Sequence, residues 1–191
     1  MGFAVAERLA TLGAKVYLVT GPVSLTTQYP NIQRINVTSA VEMQDICLSL
    51  FSFCNGAVMV AAVADFAPKT MAAEKIKRSG ENLILELRPN PDIAASLGKI
   101  KRPDQILAGF ALETQDEERN ALGKLKKKNL DFIVLNSLRE KGSGFQHDTN
   151  KIKIIDNKGE ITSFELKPKK EVAADIVDKL IELQNLLPTF V

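Results

Sequence analysis

The sequence predicts an α/β fold of the three-layer α/β/α Rossmann-like type, with a mostly parallel sheet and an added β-hairpin. Apolar or β-rich segments alternate along the chain with amphipathic segments of helical period. This alternation is typical of a parallel sheet that helices cover on both faces. Near the end, two strand-like segments flank the turn sequence Asp156-Asn157-Lys158-Gly159-Glu160, which indicates a hairpin.

The first half of the chain opens on a helix and contains three candidate strands. Gly13 is suited to end the first helix. Thr38 or Ser39 is the expected N-cap of the second helix, with Glu42 at capping-box spacing from Ser39. The elements expected in order are helix Gly2–Leu12, strands Lys15–Thr20 and Ile32–Val37, a helix ending near Phe53, and the buried strand Ala57–Val63.

The second half continues the alternation and ends in a long helix. Pro91 suits a first helical turn. The final helix should turn Val172, Ile176, Leu180, Ile181 and Leu187 towards the core. The elements expected in order are the mostly apolar stretch Asn82–Leu87, a helix from Pro91, strand Gln105–Phe110, helix Asp116–Lys128, strand Asp131–Leu135, a polar loop Glu140–Asn150, the hairpin Lys151–Ile155 and Ile161–Leu166, and helix Glu171–Leu187.

Composition narrows the class of protein. The chain has 191 residues, 45% of them apolar, and a net charge of +2, which fits one globular domain over residues 1–191 and gives no sign of nucleic-acid binding. No apolar run approaches the about 20 residues of a membrane span, and the start lacks a secretory signal. We therefore expect a cytoplasmic protein without membrane partners.

The cysteines and the single histidine exclude several kinds of site. Cys47 and Cys54 lie in an apolar helical stretch, where buried free thiols are favoured over a disulfide or a metal pair. His147 has no cysteine cluster or nucleophile-elbow sequence beside it. A zinc site and a Ser-His-Asp triad are therefore not expected.

The segment after the strand Ala57–Val63 indicates nucleotide chemistry. Small alanines and the carboxylate of Asp65 follow the strand, and Lys75 lies in a cationic loop ten residues later. Ligands of open α/β sheets bind beyond the carboxyl ends of the strands. An acid there can accept hydrogen bonds from a sugar or base, and a cationic loop can close over phosphates.

Two strand-to-helix junctions and a pair of lysines are expected to join this site: Arg88-Pro89-Asn90-Pro91-Asp92-Ile93, Gly109-Phe110-Ala111-Leu112-Glu113-Thr114, and Lys124 with Lys128. Helix N-termini favour anions, Phe110 can stack on a base, and lysines four apart share a helix face. Each element also has a purely structural interpretation. Lysines late in a helix oppose its dipole, Asp65 can cap a turn, Phe110 can belong to the core, and Asn90-Pro91-Asp92 can simply start a helix.

The joint order of these motifs is more specific than any one of them, and it resembles phosphopantothenoylcysteine synthetase over nearly the whole chain. The matching motifs are Met1-Gly2-Phe3-Ala4, Gly21-Pro22-Val23, Ala61 to Phe66, Glu74-Lys75-Ile76-Lys77, Asn90-Pro91-Asp92-Ile93, Gly109 to Thr114, Lys124 with Lys128-Asn129-Leu130-Asp131, Asn136, and Gly144-Phe145 with Asp148 and Asn150.

The resemblance implies a CTP-dependent ligase of coenzyme A biosynthesis. The family activates 4′-phosphopantothenate as an acyl-cytidylate, with Mg²⁺ accompanying CTP, and then joins it to L-cysteine. It also implies a homodimer, with the late hairpin as the dimerisation element. Lys75 and Ala62 match positions tied to activity. The residues implied to contact CTP are Met59, Val60, Ala61, Asp65, Lys75, Arg88, Pro89, Asn90, Pro91, Phe110, Lys124 and Lys128.

The chain departs from the family pattern at its start. In the family, a strand, a glycine-rich turn and a segment ending in Ser-Gly-Lys precede the Met-Gly pair, so we expect this domain to be N-terminally short. Two other interpretations stay open: a non-catalytic or truncated nucleotide-binding module, and an NAD(P)-dependent Rossmann oxidoreductase. Against the oxidoreductase, no Gly-x-Gly-x-x-Gly sequence follows a strand.

Overall fold

The computed structural model describes residues 1–186 apart from Met71, Ser79, Glu81, 114–115 and 138–147, and for Ser137 the backbone alone. Its helices are α1 Gly2–Thr11, α2 Ala40–Phe51, α3 Ile93–Ile100, α4 Glu117–Lys127 and α5 Lys169–Leu186. Its strands are β1 Val16–Thr20, β2 Ile32–Asn36, β3 Gly56–Met59, β4 Phe66–Pro68, β5 Leu87–Pro89, β6 Ile106–Glu113, β7 Phe132–Ser137, β8 Thr149–Asn150, β9 Ile152–Asp156, β10 Ile161–Ser163 and β11 Lys167–Pro168.

The central sheet has five strands in the order β10-β9-β7-β6-β3. Strands β3, β6 and β7 run parallel, as expected for β-strands joined by helices. The late hairpin forms as predicted, with β9 antiparallel to both β7 and β10. Its inner strand is part of the sheet rather than an appendage, since β9 contributes buried isoleucines to the core.

Two apolar clusters cover the two faces of this sheet and confirm the three-layer fold. The first joins one face of the sheet to α1 and α5, and the second joins the opposite face to α2, α3 and α4. Alternate residues of one strand serve both faces: Ile106 and Ala108 belong to the first cluster, and Leu107 and Ala111 to the second. Successive side chains along β6 therefore point alternately towards the layer of α1 and α5 and towards the layer of α2, α3 and α4.

Strands β1 and β2 form a separate parallel pair. Val19 of β1 and Met59 of β3 pack against the same apolar cluster of Val37, Met43 and Ile93, so the pair lies beside the β3 end of the central sheet. Within the described residues, β1 and β3 each have one ladder edge that no strand pairs. The expected continuous sheet is thus interrupted between these two strands.

The predicted helix ends are largely confirmed. The hydroxyl of Ser39 accepts a hydrogen bond from the Glu42 N–H, while the Glu42 carboxylate accepts one from the Thr38 N–H at 2.7 Å. Gly13, at φ 88°, follows α1. Pro91 lies just before α3 rather than in its first turn, because Asp92 is the N-cap.

Two element predictions need correction. Strand β3 ends at Met59 rather than Val63, because its ladder with β6 stops at the pair Met59–Gly109. In α5, Val172 and Ile176 are buried as predicted, but Ile181 is exposed and Leu187 lies outside the described residues. The loop residues Gly144, Phe145 and His147 also lie outside them.

Both cysteines are free, as predicted, although each is only partly buried. Burial raises the pKa of the Cys47 thiol to about 11. Because the thiolate is the nucleophilic form, Cys47 is a poor nucleophile at neutral pH.

Candidate nucleotide site at the sheet rim

The candidate site begins where β3 leaves the sheet. The side chain of Met59 packs on the α2 side, whereas that of Val60 faces the start of α1: a methyl group added to Gly2 would lie 3.7 Å from the Val60 Cβ. Ala61 and Ala62 follow and are exposed. The segment therefore offers exposed backbone with little side-chain bulk, as the sequence indicated.

Asn90 ties this segment to the second junction. Its backbone N–H donates to the Asp65 carbonyl oxygen at 2.8 Å, and its side-chain amide donates to the Ala64 carbonyl oxygen at 2.9 Å. The antiparallel pair β4–β5 holds the neighbouring residues together, with Phe66 opposite Pro89 and Ala67 opposite Arg88. Asp65 and residues 88–91 therefore lie together, as predicted. The side-chain N–H₂ group of Asn90 is partly used in this junction, because it donates to the Ala64 carbonyl oxygen.

Asp92 continues the junction and reaches α4. Its Oδ1 accepts the Ala95 N–H at 3.1 Å, which caps α3, and its carboxylate also lies 3.0 Å from the Lys128 ammonium. Partial burial opposes ionisation of this carboxyl, but the bonds from Ala95 and Lys128 prevail and hold its pKa below the usual value. Asp92 is therefore a charged carboxylate at neutral pH.

A second ion pair joins Lys124 to the end of β6. The Lys124 ammonium lies 2.7 Å from Oε1 of Glu113, the last residue of that strand. Lys124 lies in the last turn of α4 and Lys128 is the C-cap of that helix, so the two lysines project from the same end of α4. Each extends its ammonium to a carboxylate at a strand-to-helix junction. The spacing of the two lysines is evident in the sequence, whereas their pairing with Glu113 and Asp92 is visible only in the fold.

Phe110 stays a candidate for stacking on a base, although part of its ring is used in the core. Its ring packs against the cluster on the α1 and α5 face, and it is only partly exposed. That placement fits the core interpretation of Phe110. Gly109 beside it makes room for Leu130, whose Cδ1 would lie 2.6 Å from a methyl group at that position.

Lys75 lies in an exposed stretch between β4 and β5. Its neighbour Ile76 is also largely exposed. No ion-pair partner for Lys75 occurs among the residues that the structure describes. The side chain is therefore available to a ligand, as expected for a lysine of the cationic loop.

A cavity of about 550 Å³ lies beside the rim, at the carboxyl ends of β1 and β2. Gly21, Pro22, Val23 and Ser24 form one wall. Arg34 contributes to the cavity, but its guanidinium donates to the carbonyl oxygens of Val23 and Leu25 and to Asn36, so it chiefly holds the loop. Gly21-Pro22-Val23 is one of the motifs that carry the family resemblance, but the resemblance implies no ligand for it.

The described residues contain no group of three or more His, Cys, Asp or Glu side chains that could hold a metal ion. Within the same ranges, no helix combines enough length and apolar character to cross a bilayer.

The fold and the rim contacts define an α/β protein of the Rossmann-like class, with its candidate site at the carboxyl ends of parallel strands. A family model described as the DNA/pantothenate metabolism flavoprotein C-terminal domain matches residues 1–183. The chain therefore belongs to this family.

Curated relatives match nearly the whole chain. The coenzyme A biosynthesis bifunctional protein CoaBC of Bacillus subtilis is 40% identical over 185 residues, which cover 97% of this chain and 45% of that protein. A protein of an unknown prokaryotic organism, named cysteine/cysteine sulfinic acid decarboxylase, is 52% identical over 183 residues, which cover 96% of this chain and 51% of that protein. The chain thus spans about half the length of these relatives.

Solved structures agree on the fold. The crystal structure of the C-terminal domain of CoaBC superposes with a TM-score of 0.80 at 32% identity, covering 96% of this chain and 83% of that one. A flavoprotein of the same family from Streptococcus pneumoniae gives a TM-score of 0.79 at 20% identity, covering 94% of this chain and 86% of that one, which supports the fold alone.

Proposed function

We propose that the chain carries a phosphopantothenate–cysteine ligase site that uses CTP. The observation that carries the proposal is the chain of contacts from Ala64 and Asp65 through Asn90 and Asp92 to Lys128, which gathers residues from three separate segments at the carboxyl rim of the sheet. Membership of the family and the similarity to CoaBC proteins support the same assignment.

The reaction we propose has two steps. A carboxylate oxygen of 4′-phosphopantothenate attacks the α-phosphorus of CTP, and the bond from that phosphorus to the pyrophosphate oxygen breaks. The amine nitrogen of L-cysteine then attacks the acyl carbon, CMP leaves, and the amine loses a proton to solvent. The products are pyrophosphate, CMP and 4′-phosphopantothenoylcysteine.

The residues divide between binding and charge stabilisation. The exposed backbone of residues 59–62 and the Asp65 carboxylate are suited to the base and ribose. Lys124 and Lys128 are suited to the phosphates. In the first step two anions approach each other, so a cation is needed where negative charge develops. Lys75, exposed and without a described partner, is the residue we assign to that position.

Magnesium would accompany the nucleotide in this proposal. Mg²⁺ at nucleotide sites commonly takes most of its ligands from phosphates and water, with one or two protein carboxylates. Because Asp65 is assigned to the base and ribose, we assign no protein ligand to the metal, whose ligands would come mainly from phosphates and water. The metal would supply charge neutralisation of the triphosphate.

We also propose a homodimer, for which two surfaces are candidates. In the late hairpin, Ile152, Ile154 and Ile155 of β9 are buried in the protomer, but β10 is exposed at the edge of the central sheet, so the hairpin stays a candidate interface. The β4–β5 arm, residues 66–89, also exposes Phe66, Leu83, Leu85 and, at 86% exposure, Ile84. Exposed apolar patches of this kind mark interaction surfaces. Ile84→Asp should lower the mass measured by light scattering to that of a monomer; an unchanged dimer mass would exclude this arm.

Incubation with CTP, Mg²⁺, 4′-phosphopantothenate and L-cysteine tests the function. Pyrophosphate release that depends on phosphopantothenate supports the ligase. CTP binding without release favours the non-catalytic module, and NADH binding alone favours the oxidoreductase. One relative is named as a decarboxylase, so decarboxylation is the control reaction. Release of carbon dioxide from cysteine or cysteine sulfinate without added CTP would contradict the ligase assignment.

A further inference from the structure

Lys124 and Lys128 are each held in an ion pair, an arrangement that phosphate binding alone does not require. Each ammonium is paired with a carboxylate from a different element: Lys124 with Glu113 at the end of β6, and Lys128 with Asp92 at the start of α3. A lysine exposed to solvent normally samples many rotamers. These two are held at defined points of the rim before any ligand is present.

The two carboxylates are held to different degrees by other contacts. Asp92 Oδ1 accepts the Ala95 N–H, so the carboxyl cannot swing away without uncapping α3. The Glu113 side chain is only 14% exposed, so burial limits its freedom, but its Oε2 contact with the Asn120 amide is long, at 3.4 Å. Asp92 is therefore the firmer anchor, and Glu113 is confined mainly by its burial.

The ion pairs leave the ammoniums able to bind a ligand. An ammonium has three N–H donors, and a carboxylate contact does not occupy all of them. Lys124 and Lys128 keep 46% and 25% side-chain exposure. Since the lysines are already ordered, a phosphate ligand does not have to bear the loss of their rotamer freedom on binding.

We propose that Asp92 and Glu113 are positioning residues that hold Lys128 and Lys124 ready for the phosphates of a nucleoside triphosphate. The inference rests on the proposed function, because it presupposes a triphosphate at this rim. A competing view treats the carboxylates as counter-ions that only weaken phosphate binding. The two views predict opposite signs for the effect of removing a carboxylate charge.

Calorimetric titration of the chain with CTP and Mg²⁺ separates these views. Asp92→Asn keeps a good N-cap residue but loses the charge, and Glu113→Gln removes the charge of the second pair while keeping the size of the side chain. We expect each to weaken CTP binding about tenfold, the scale of one charge-assisted hydrogen bond, with little change in Tm and in the KM for phosphopantothenate. Asp104→Asn, which breaks the exposed pair with Arg102, is the matched control and should leave CTP binding unchanged.

A double-mutant cycle makes the test specific. Asp92→Asn should have almost no further effect on CTP affinity in a Lys128→Ala background, since its effect acts through that lysine. Unchanged or tighter binding in Asp92→Asn and Glu113→Gln, or full additivity with Lys128→Ala, overturns the inference while leaving the proposed function intact. Failure of the unaltered chain to bind CTP overturns both.

Discussion

The side-chain amide of Asn90 donates a hydrogen bond of 2.9 Å to the carbonyl oxygen of Ala64, 26 residues earlier in the chain. Together with the bond from the Asn90 N–H to Asp65, it joins the segment after β3 to the segment before α3. The backbone of Asp65 thereby acquires a defined place relative to Asp92 and Lys128.

Asn90→Asp should loosen this junction, because a carboxylate cannot donate to the Ala64 carbonyl oxygen. We expect a loss of about 1 kcal/mol in the free energy of unfolding and a several-fold weaker affinity for CTP, as for one hydrogen bond. Chemical denaturation and calorimetric titration measure the two effects. Asn31→Asp is a matched control, since Asn31 makes the same kind of bonds to Ala10 and Ala14. If it impaired CTP binding equally, the junction would have no special role.

Lys75→Ala should slow pyrophosphate release by about 10²–10³-fold, the usual cost of removing one preorganised donor from a transition state. Because Lys75 is exposed, its loss should leave the thermal midpoint nearly unchanged. Single-turnover assays measure the rate. Lys77→Ala removes the same charge from the same exposed stretch and should slow the reaction much less. Equal effects of the two changes would show that only the net charge of the loop matters.

Gly98 and Gly123 form a contrasting pair of helical glycines. A methyl group at Gly98 would lie 1.9 Å from the Lys128 carbonyl oxygen, whereas none of the described atoms lies within 4 Å of one at Gly123. We expect Gly98→Ala to destabilise the fold by about 1–3 kcal/mol and to displace Lys128. Gly123→Ala should stabilise α4 by about 0.5–1 kcal/mol. Urea denaturation tests both signs, and a stable Gly98→Ala variant would refute the close approach of α3 to α4.

Because of Asp156, the free energy of unfolding should fall markedly as the pH becomes acidic. Its side chain is 5% exposed. Burial opposes ionisation, but bonds from the N–H groups of Glu160 and Lys158 and from the Lys179 ammonium prevail and lower its pKa. A lowered pKa in the folded state contributes stability above the unfolded value of about 3.9, and this contribution disappears as the pH falls through the folded value.

Asp156→Asn is therefore expected to cost about 2 kcal/mol at pH 7, and the difference from the unaltered chain should shrink below pH 4. Urea denaturation across this range measures it. A difference that stays constant down to the lowest pH at which the chain folds would mean that the ionised carboxylate contributes no stability.

The fifth prediction concerns the unpaired edges of β1 and β3. Unpaired strand edges leave backbone N–H and C=O groups without ladder partners. Fusing ahead of Met1 the strand and glycine-rich turn that the family resemblance implies should raise the Tm, since one strand between β1 and β3 would pair both edges. A scrambled extension of equal length is the control. The same Tm with both extensions would contradict the prediction.

Local signals were sufficient to predict most of the fold. The alternation of apolar strands and amphipathic helices predicted the layered sheet, and the capping box at Ser39 and Glu42 formed with one small change: the N–H that donates to the Glu42 carboxylate is that of Thr38 rather than Ser39. Strand β4 was missed because three residues, Phe66 to Pro68, have no period of their own. Their pairing with β5 depends on contacts far along the chain.

The site was predicted less completely, for a physical reason. The motif order brought Asp65, Asn90, Lys124 and Lys128 to one rim, but sequence spacing does not reveal which charges pair. The partners Glu113 and Asp92 come from elements that only the folded sheet brings next to α4. Likewise, Phe110 faces the α1 layer because of the strict alternation along β6, which fixes its side independently of any ligand.

A crystal structure of the chain with CTP and Mg²⁺ tests the central claim most directly. The account predicts the triphosphate within hydrogen-bonding distance of the Lys124 and Lys128 ammoniums and the ribose beside Asp65. Binding of the nucleotide in the cavity lined by Gly21 to Ser24, with both lysines still paired only to Glu113 and Asp92, would contradict it.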